Sequence, residues 1–495
     1  MPIIKLFWTD FYKIDSLKSK YWILVFAVYA LLLSIAVWKH EPWMDEAQSW
    51  LLVSDLSVGE LFTEYLRYDG HPGLWYLLVM IPAKLGLPYV SINVLSAVLS
   101  ATGVFLFLRH SPFPPVVKIL FPFSYFVFFQ YGVVARSYCL IPLFLFLIAI
   151  NYEKRFERPI LYSLLLCLFA NVSAHALLIS GALLSVHLLD VWQMRRQLDK
   201  QSKIHQSLAV LMFGLASLFV IWTLLPPPDQ LFAGENNLSF AYFLFISKWM
   251  ISGALLMDES SRVINLQIIA SFAIFLVTLY WLRRKKLTLL YLFPLLLNLI
   301  LFGVKYRNLW HEGILFFLWI FVLWISFDKE RNNNSPTLRR TVTALITIVL
   351  ATQIYWTAYA VSRDFYHNYS GSRQLAEYIK ENDLENKQIF VSGWKSIAVL
   401  PYFDENIFYN LNNGSKLRFW LWSMNNPAPV GYHSEVVDSI QREQPDVVIF
   451  ASDHMEPNTT IKLEGYRFVK AFEGNLYWKT GIYEPDSYWI FQKEE

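Results

Sequence analysis

His40-Glu41-Pro42-Trp43-Met44-Asp45-Glu46-Ala47-Gln48-Ser49-Trp50, resumed at Tyr68-Asp69-Gly70-His71-Pro72-Gly73-Leu74-Trp75-Tyr76, is the first polar stretch after the first long apolar run. Glu41, Asp45, Glu46, Asp55, Glu60, Glu64 and Asp69 stand in it against Arg67 alone after the boundary His40. The sequence around it is hydrocarbon-compatible. Acids placed at the water boundary of such a chain usually serve chemistry or ion handling.

The whole composition agrees with a membrane setting. The chain has 495 residues, of which 55% are hydrophobic, 17% aromatic and 16% charged, whereas an ordinary soluble domain carries about 25% charged residues. The net charge of +3 gives no reason to expect nucleic acid. The aromatic excess suits helix ends at membrane interfaces. The two cysteines, Cys139 and Cys167, lie in apolar runs and supply neither a disulfide framework nor a thiolate metal site. The basic N-terminus (Lys5, Lys13, Lys18, Lys20) precedes an apolar run without a small-residue cleavage pattern. That run is expected to stay as a helix with its N-terminus inside.

A spanning helix needs about 20 apolar residues. Candidate runs are 21–38, 71–86, 88–108, 116–132, 137–150, 158–173, 175–192, 207–225, 263–282, 287–303, 309–326 and 340–361. Basic junctions fall at 151–159, 193–206, 283–286 and 329–340, and the positive-inside rule makes all four cytoplasmic. Both 71–86 and 88–108 cannot cross without placing every later basic loop outside. Residues 71–86 are therefore expected as a shallow or re-entrant helix, broken by Pro82 and the Gly86-Leu87-Pro88 turn. The expected fold is a polytopic α-helical membrane protein with about eleven crossings, N-terminus in and C-terminus out, and an external first loop at 40–70. The stretch 239–256, with Lys248 in mid-run, reads as an external amphipathic or juxtamembrane helix.

Two domains are expected, 1–362 in the membrane and 363–495 as a soluble external α/β domain. In the latter, helices are expected at 370–381 and 436–444, and strands at 387–392, 446–451 and 466–472. It contains no phosphate-binding glycine loop and no nucleophile elbow.

This topology gathers polar groups on one face: Asp45 and Glu46, Asp69 and His71, Arg136 with Ser137 and Tyr138, His175, and Arg307 with His311 and Glu312. A carboxylate can take a proton from an acceptor hydroxyl, and arginine and histidine can hold a phosphate and stabilise it as a leaving group. Each group also has a plainer reading. Asp45-Glu46 reads equally as first-turn acids of a surface helix, and His71-Pro72 as a helix start. Arg136 reads as a snorkelling arginine. His175 reads as a packed histidine, Arg307 and His311 as interface anchors, and Glu312 as their solvated companion. Asn-x-Ser/Thr triplets at Asn171, Asn237, Asn333, Asn368, Asn413 and Asn458 are read as chance matches.

The order of these motifs resembles polytopic glycosyltransferases of the C-type fold that use polyprenyl-phosphate sugars, such as protein O-mannosyltransferases and the aminoarabinose transferase acting on lipid A. Met44-Asp45-Glu46 is similar to their first-loop acidic motif. Gly70-His71-Pro72-Gly73-Leu74-Trp75-Tyr76 is similar to their His-Pro-Pro-Leu-Tyr-Tyr segment, with Gly73 replacing the second proline, and Ala135-Arg136-Ser137-Tyr138 to their Ala-Arg-x-Tyr. Residues 306–313 are set against a later arginine-histidine segment. The architecture covers roughly residues 20–320, and the motifs span 44–138.

The resemblance implies an inverting transferase of the inner cell membrane. It would move one sugar from a polyprenyl-phosphate donor to an external protein, lipid or glycan acceptor. Asp45 would be the general base with Glu46 as its catalytic support, and Arg136, Tyr138, Arg307 and His311 would hold the donor phosphate. Asp69 and His71 would bind substrate. No cofactor is assigned; Asp45 and Glu46 are the pair that would anchor a divalent metal if one is used. The principal alternative is a transporter or flippase of a lipid-linked sugar, which would want inverted repeats and acids at mid-membrane. A polymerase transferring whole glycans ranks third, because the loop at 226–262 is modest.

Overall fold

Inside hydrocarbon no water is present to satisfy backbone N–H and C=O groups, so each apolar run must close its own helical hydrogen bonds. A computed structural model describes residues 21–231, 239–305, 307–330, 336–426, 428–453 and 461–494. The basic residues before Tyr21, residue 306, Arg331 and the triplet asparagines 237, 333 and 458 lie outside the described residues.

Eight described helices are long and apolar enough to cross a membrane: α1 (Tyr21–Lys39), α4 (Ser91–His110), α5 (Pro115–Val133), α8 (Ala174–Met194), α9 (Lys200–Leu224), α11 (Ile264–Arg284), α13 (Leu309–Lys329) and α14 (Pro336–Tyr366). Shorter apolar helices are α3 (Leu74–Lys84), α6 (Ser137–Asn151), α7 (Pro159–Ala170), α10 (Phe240–Leu255) and α12 (Thr288–Val304). The chain is thus a polytopic helical protein with a small C-terminal sheet region.

Burial sorts the helices. α13 is the axis of the bundle, with every residue from His311 to Phe327 buried. At the periphery, α9 turns Leu208, Leu211, Leu215 and Leu218 outward. Such a face suits lipid and would be costly in water.

Two short helices matter for the site. α2 (Met44–Asp55) follows α1 after a sharp break at His40–Trp43. α3 is 11 residues long, about 16 Å at 1.5 Å per residue, roughly half the hydrocarbon thickness. Both ends of α3 are held at α2. Near its start Asp69 accepts a hydrogen bond from Gln48, and at its end Lys84 donates to the Ser54 carbonyl at 2.9 Å. The chain turns into α3 at Gly70, whose φ of 71° is the left-handed conformation glycine adopts without penalty. Gly73 lies against the Phe62 ring, where any side chain would collide.

α10 has one face packed into the bundle: Met250 to Leu255 are buried, against α11, α12 and α13, while Phe240, Leu244 and Lys248 are exposed.

Beyond α14, which continues to Tyr366, a mixed four-stranded sheet has the order β1-β2-β6-β3, and β4 with β5 forms a separate hairpin. The strands are β1 (Ile389–Ser392), β2 (Val447–Ala451), β3 (Tyr466–Phe472), β4 (Asn475–Trp478), β5 (Gly481–Pro485) and β6 (Tyr488–Lys493). β1 and β2 run parallel, with Ile389 beside Val447; β6 is antiparallel to β2, with Ile490 beside Ile449. Helices α15 (Ser372–Glu381) and α16 (Ser434–Glu443) flank the sheet. The pattern reading has no counterpart for β4, β5 and β6. β6 reads Tyr-Trp-Ile-Phe-Gln-Lys, an aromatic run without clean alternation, and it becomes a strand because it fills the gap between β2 and β3.

The C-terminal region docks on α2 through polar ties. The Arg418 backbone N–H donates to Asp55 Oδ2 at 2.8 Å, and the Arg418 guanidinium reaches Asp55 Oδ1 through Nε at 2.8 Å and Nη2 at 2.5 Å. Gln48 exchanges two hydrogen bonds of 2.9 Å with the Trp420 backbone. Arg373 N–H donates to Glu41 at 2.5 Å.

Candidate active site

The site begins with the geometry of the first turn of α2. Consecutive helical residues point about 100° apart, so Asp45 and Glu46 cannot share one direction. Asp45 faces a cleft of about 640 Å³ between the bundle end and the C-terminal region. Glu46 faces the protein and is fully buried.

Glu46 is fully engaged. Its Oε1 accepts from Asn93 Nδ2 at 2.8 Å and from the Ala135 backbone N–H at 2.7 Å. Its Oε2 accepts from the Trp43 backbone N–H at 3.1 Å and lies 3.2 Å from His40 Nε2. The other His40 nitrogen is 2.9 Å from Asp364 on α14. Burial acts to lower the His40 pKa, but the Asp364 and Glu46 carboxylates prevail and push it up to about 10. The expectation that Asp45 and Glu46 work side by side is corrected here, because Glu46 does not line the cleft. Glu46 ties α1, α2, α4 and the Arg136 segment together.

Arg136 follows Ala135 directly, after a wide π-helical turn over Phe126–Val133. Such turns often mark functional positions. Its Nη1 lies 2.6 Å from Asp45 Oδ2. Its guanidinium stands over the rings of Trp310 at 4.9 Å and Tyr138 at 5.2 Å, a favourable cation–π arrangement. Burial pushes the Asp45 carboxyl above the ordinary carboxylate value, opposed by the charges of Arg136 and His71.

Asp69 accepts from Tyr76 Oη and, at 3.2 Å, from Gln48 Nε2. Burial would raise its pKa, but these hydrogen bonds and His71 hold it below the usual value. His71 Nδ1 is 3.0 Å from the Asp69 carbonyl and 3.3 Å from its carboxylate. Two carboxylates bordering one cleft are thus moved in opposite directions.

The far wall comes from the start of α13. The Asn308 N–H donates to His311 Nδ1 at 3.1 Å, which leaves the proton on Nε2, 2.8 Å from Tyr138 Oη. The His175 ring lies 4.2 Å from the His311 ring, so His175 is both packed and cleft-lining. Arg307 Nη1 donates to Tyr242 Oη at 2.5 Å, and Arg307 and Lys305 both border the cleft.

Of the expected site residues, Asp45, Asp69, His71, Arg136, Tyr138, Arg307 and His311 line this one cleft. Glu312 is the second correction. It is not a solvated companion of Arg307: it is fully buried and pairs with Lys479 at 2.7 Å. One residue on from His311, the helical turn of about 100° carries it away from the cleft and toward Lys479.

The sequence reading did not select Trp43, Trp310, Gln48 or Lys305, nor Trp394, Lys395, Trp422, Tyr483 and Glu484 from the C-terminal region, which also border the cleft. Trp310 stood next to His311 in the segment already chosen. The C-terminal residues carried no local signal.

Among the described residues no three His, Cys, Asp or Glu side chains group as a metal site. Asp45 and Glu46, the pair expected to anchor a divalent metal if one is used, point in different directions, only Asp45 bordering the cleft. No family model and no curated protein matches the chain.

Proposed function

We propose that the chain is an inverting glycosyltransferase that takes a sugar from a polyprenyl-phosphate carrier. The observation that carries this reading is the pairing of Asp45 with Arg136 in a cleft bordered by Lys305, Arg307, His71 and His311. A carboxylate with a raised pKa in such a site is suited to accept a proton, and the cations are suited to a phosphate.

In the proposed step the acceptor O–H gives its proton to Asp45 while its oxygen attacks the anomeric carbon. The bond from that carbon to the phosphate oxygen breaks, and its electron pair leaves with the polyprenyl phosphate. One displacement inverts the configuration and needs no second carboxylate as nucleophile. Arg136 orients Asp45. Arg307 and Lys305, which approach from another wall, carry most of the phosphate charge, and Tyr138 with His311 offers hydrogen bonds to it.

We read the topology as eleven crossings, with α3 and α10 not crossing, the N-terminus inside and the cleft outside. The attachment of both ends of α3 to α2 supports this. So does the contact of both flanks of α10 with the C-terminal region: Asp229 accepts from Ser423 at 2.6 Å, and the Met257 carbonyl accepts from Lys479 at 2.5 Å. On this reading the protein sits in the inner cell membrane.

The test is transfer from a radiolabelled polyprenyl-phosphate sugar in membranes containing the wild-type chain or Asp45→Asn. Loss of about 10²- to 10⁴-fold is the size expected for a general base. Full transfer by a correctly folded Asp45→Asn chain would sink the mechanism.

A further inference from the structure

His71 and His311 border the same cleft with opposite ends of the ring protonated. At His311 the Asn308 N–H donates to Nδ1, so the ring proton sits on Nε2. At His71 the order is reversed. Its Nδ1 lies 3.0 Å from the Asp69 carbonyl, and a carbonyl oxygen only accepts. That nitrogen therefore carries a proton, which it also presents to the Asp69 carboxylate at 3.3 Å. In the neutral His71 ring the lone pair is then on Nε2.

The tertiary structure holds this dyad from several directions. Gly70, at φ 71°, bends the chain so that the residues on either side of it meet. The Asp69 carboxylate also accepts from Tyr76 Oη on α3 and from Gln48 Nε2 on α2. Gln48 is itself locked to the Trp420 backbone. The Asp69 side chain is 9% exposed and the His71 side chain 32%. A shielded carboxylate thus fixes a ring that reaches the water of the cleft.

The proposed transfer leaves Asp45 with a proton to lose before the next turnover. Arg136, 2.6 Å away, has only donors and cannot take it. His71 is the next group after Arg136 whose charge acts to lower the Asp45 pKa. Imidazole gains and loses protons near neutral pH more readily than other side chains. A carboxylate on its far nitrogen fixes the tautomer and stabilises the imidazolium that forms.

We propose that His71 is a proton relay, taking the acceptor's proton from Asp45 at Nε2 and passing it to water in the cleft, while Asp69 positions the ring. The Asp45 O–H bond breaks with its electron pair left on the carboxylate. The Nε2 lone pair forms the new N–H bond, and Nε2 later yields that proton to water. This rests on the glycosyl-transfer reading and gives His71 and Asp69 a task beyond holding substrate.

The experiment has two arms. In membranes given a radiolabelled polyprenyl-phosphate sugar, His71→Ala should lower kcat about 10²-fold and leave the donor KM nearly unchanged. Imidazole or 4-methylimidazole in the buffer should restore transfer, the more basic ring being the more effective. His71→Asn keeps an N–H for the Asp69 carbonyl but has no basic nitrogen, so it should melt as the wild type does and still lose transfer. The second arm needs no activity. In the purified full chain in nanodiscs, labelled with [¹⁵N]histidine, the neutral His71 ring should show a protonated Nδ1 and a bare Nε2. Its signals are those missing from His71→Asn. Full transfer by His71→Asn, a raised KM without imidazole rescue, or a ring proton on Nε2 would each overturn the relay. Absence of transfer by the wild type would instead overturn the reaction reading and the relay with it, leaving the tautomer result standing.

Discussion

The Asp45 carboxylate and the Arg136 guanidinium stand 2.6 Å apart at the floor of the cleft, brought together from α2 and from the loop after α5. Burial raises the Asp45 pKa, and Arg136 is the largest influence opposing it. As the proposed base, Asp45 works only when deprotonated, so the proposed transfer should fall as pH drops through the raised Asp45 value. Arg136→Gln should move this acidic limb to higher pH, as well as reducing the rate. The pH profile of single-turnover transfer checks it; an unmoved limb would show that Arg136 does not act on Asp45.

The His40–Glu46–Asp364 network makes a stability prediction. His40 has a folded pKa of about 10 against an ordinary value of about 6.5. A raised value of this kind stabilises fully below about pH 6.5, and that contribution is lost as pH rises through about 10. Thermal stability of the wild type should therefore decline across that window, and His40→Gln should flatten the decline. Equal slopes in both proteins would refute it.

Glu46→Gln should be costly in a different way. Asn93, the Ala135 N–H and the Trp43 N–H all donate to this carboxylate, and an amide nitrogen cannot accept. Removing one partner of a buried charged network typically costs about 3–5 kcal/mol. A large drop in melting temperature with the proposed Asp45-dependent transfer otherwise intact in the surviving folded fraction is the expected outcome. Unchanged stability with abolished transfer would mean Glu46 carries chemistry after all.

Lys479 is the buried pin of the β4–β5 hairpin. Its ammonium meets Glu312 on α13 at 2.7 Å and Glu259 at 3.4 Å, and the hairpin brings Tyr483 to within 5.8 Å of Trp310. Lys479→Met should destabilise by about 3–5 kcal/mol by stranding the Glu312 charge, whereas Lys479→Met with Glu312→Leu should recover much of that loss. Denaturation of the single and double variants measures the coupling; strict additivity would remove the pin.

Arg418 and Asp55 clasp the C-terminal region to α2 through three hydrogen bonds. Arg418→Ala should loosen that clasp without unfolding the sheet. Hydrogen exchange in 44–55 and 417–423 should rise, while exchange in β1, β2 and β6 stays slow. Uniform exchange changes would argue that the two parts unfold together.

Hydropathy made the helices legible, because a backbone in hydrocarbon has few alternatives and the signal is local. The cleft was partly legible for a related reason. Asp45, His71 and Arg136 each stand at the end of an apolar run, where a polar side chain is conspicuous. Glu46 and Glu312 were misread because both also stand at run ends, and sequence position does not say which way a helical side chain points. β6 escaped because its pattern has meaning only beside β2 and β3.

By itself, then, the sequence determined the helical class and the set of polar residues available at the helix ends, through the cost of unpaired backbone and buried charge. Tertiary packing alone decided that Asp45 meets Arg136 while its neighbour Glu46 turns inward, and that Trp394 and Trp422 border the same cleft. Those outcomes depend on helix rotation and on contacts between distant segments, which no local pattern encodes.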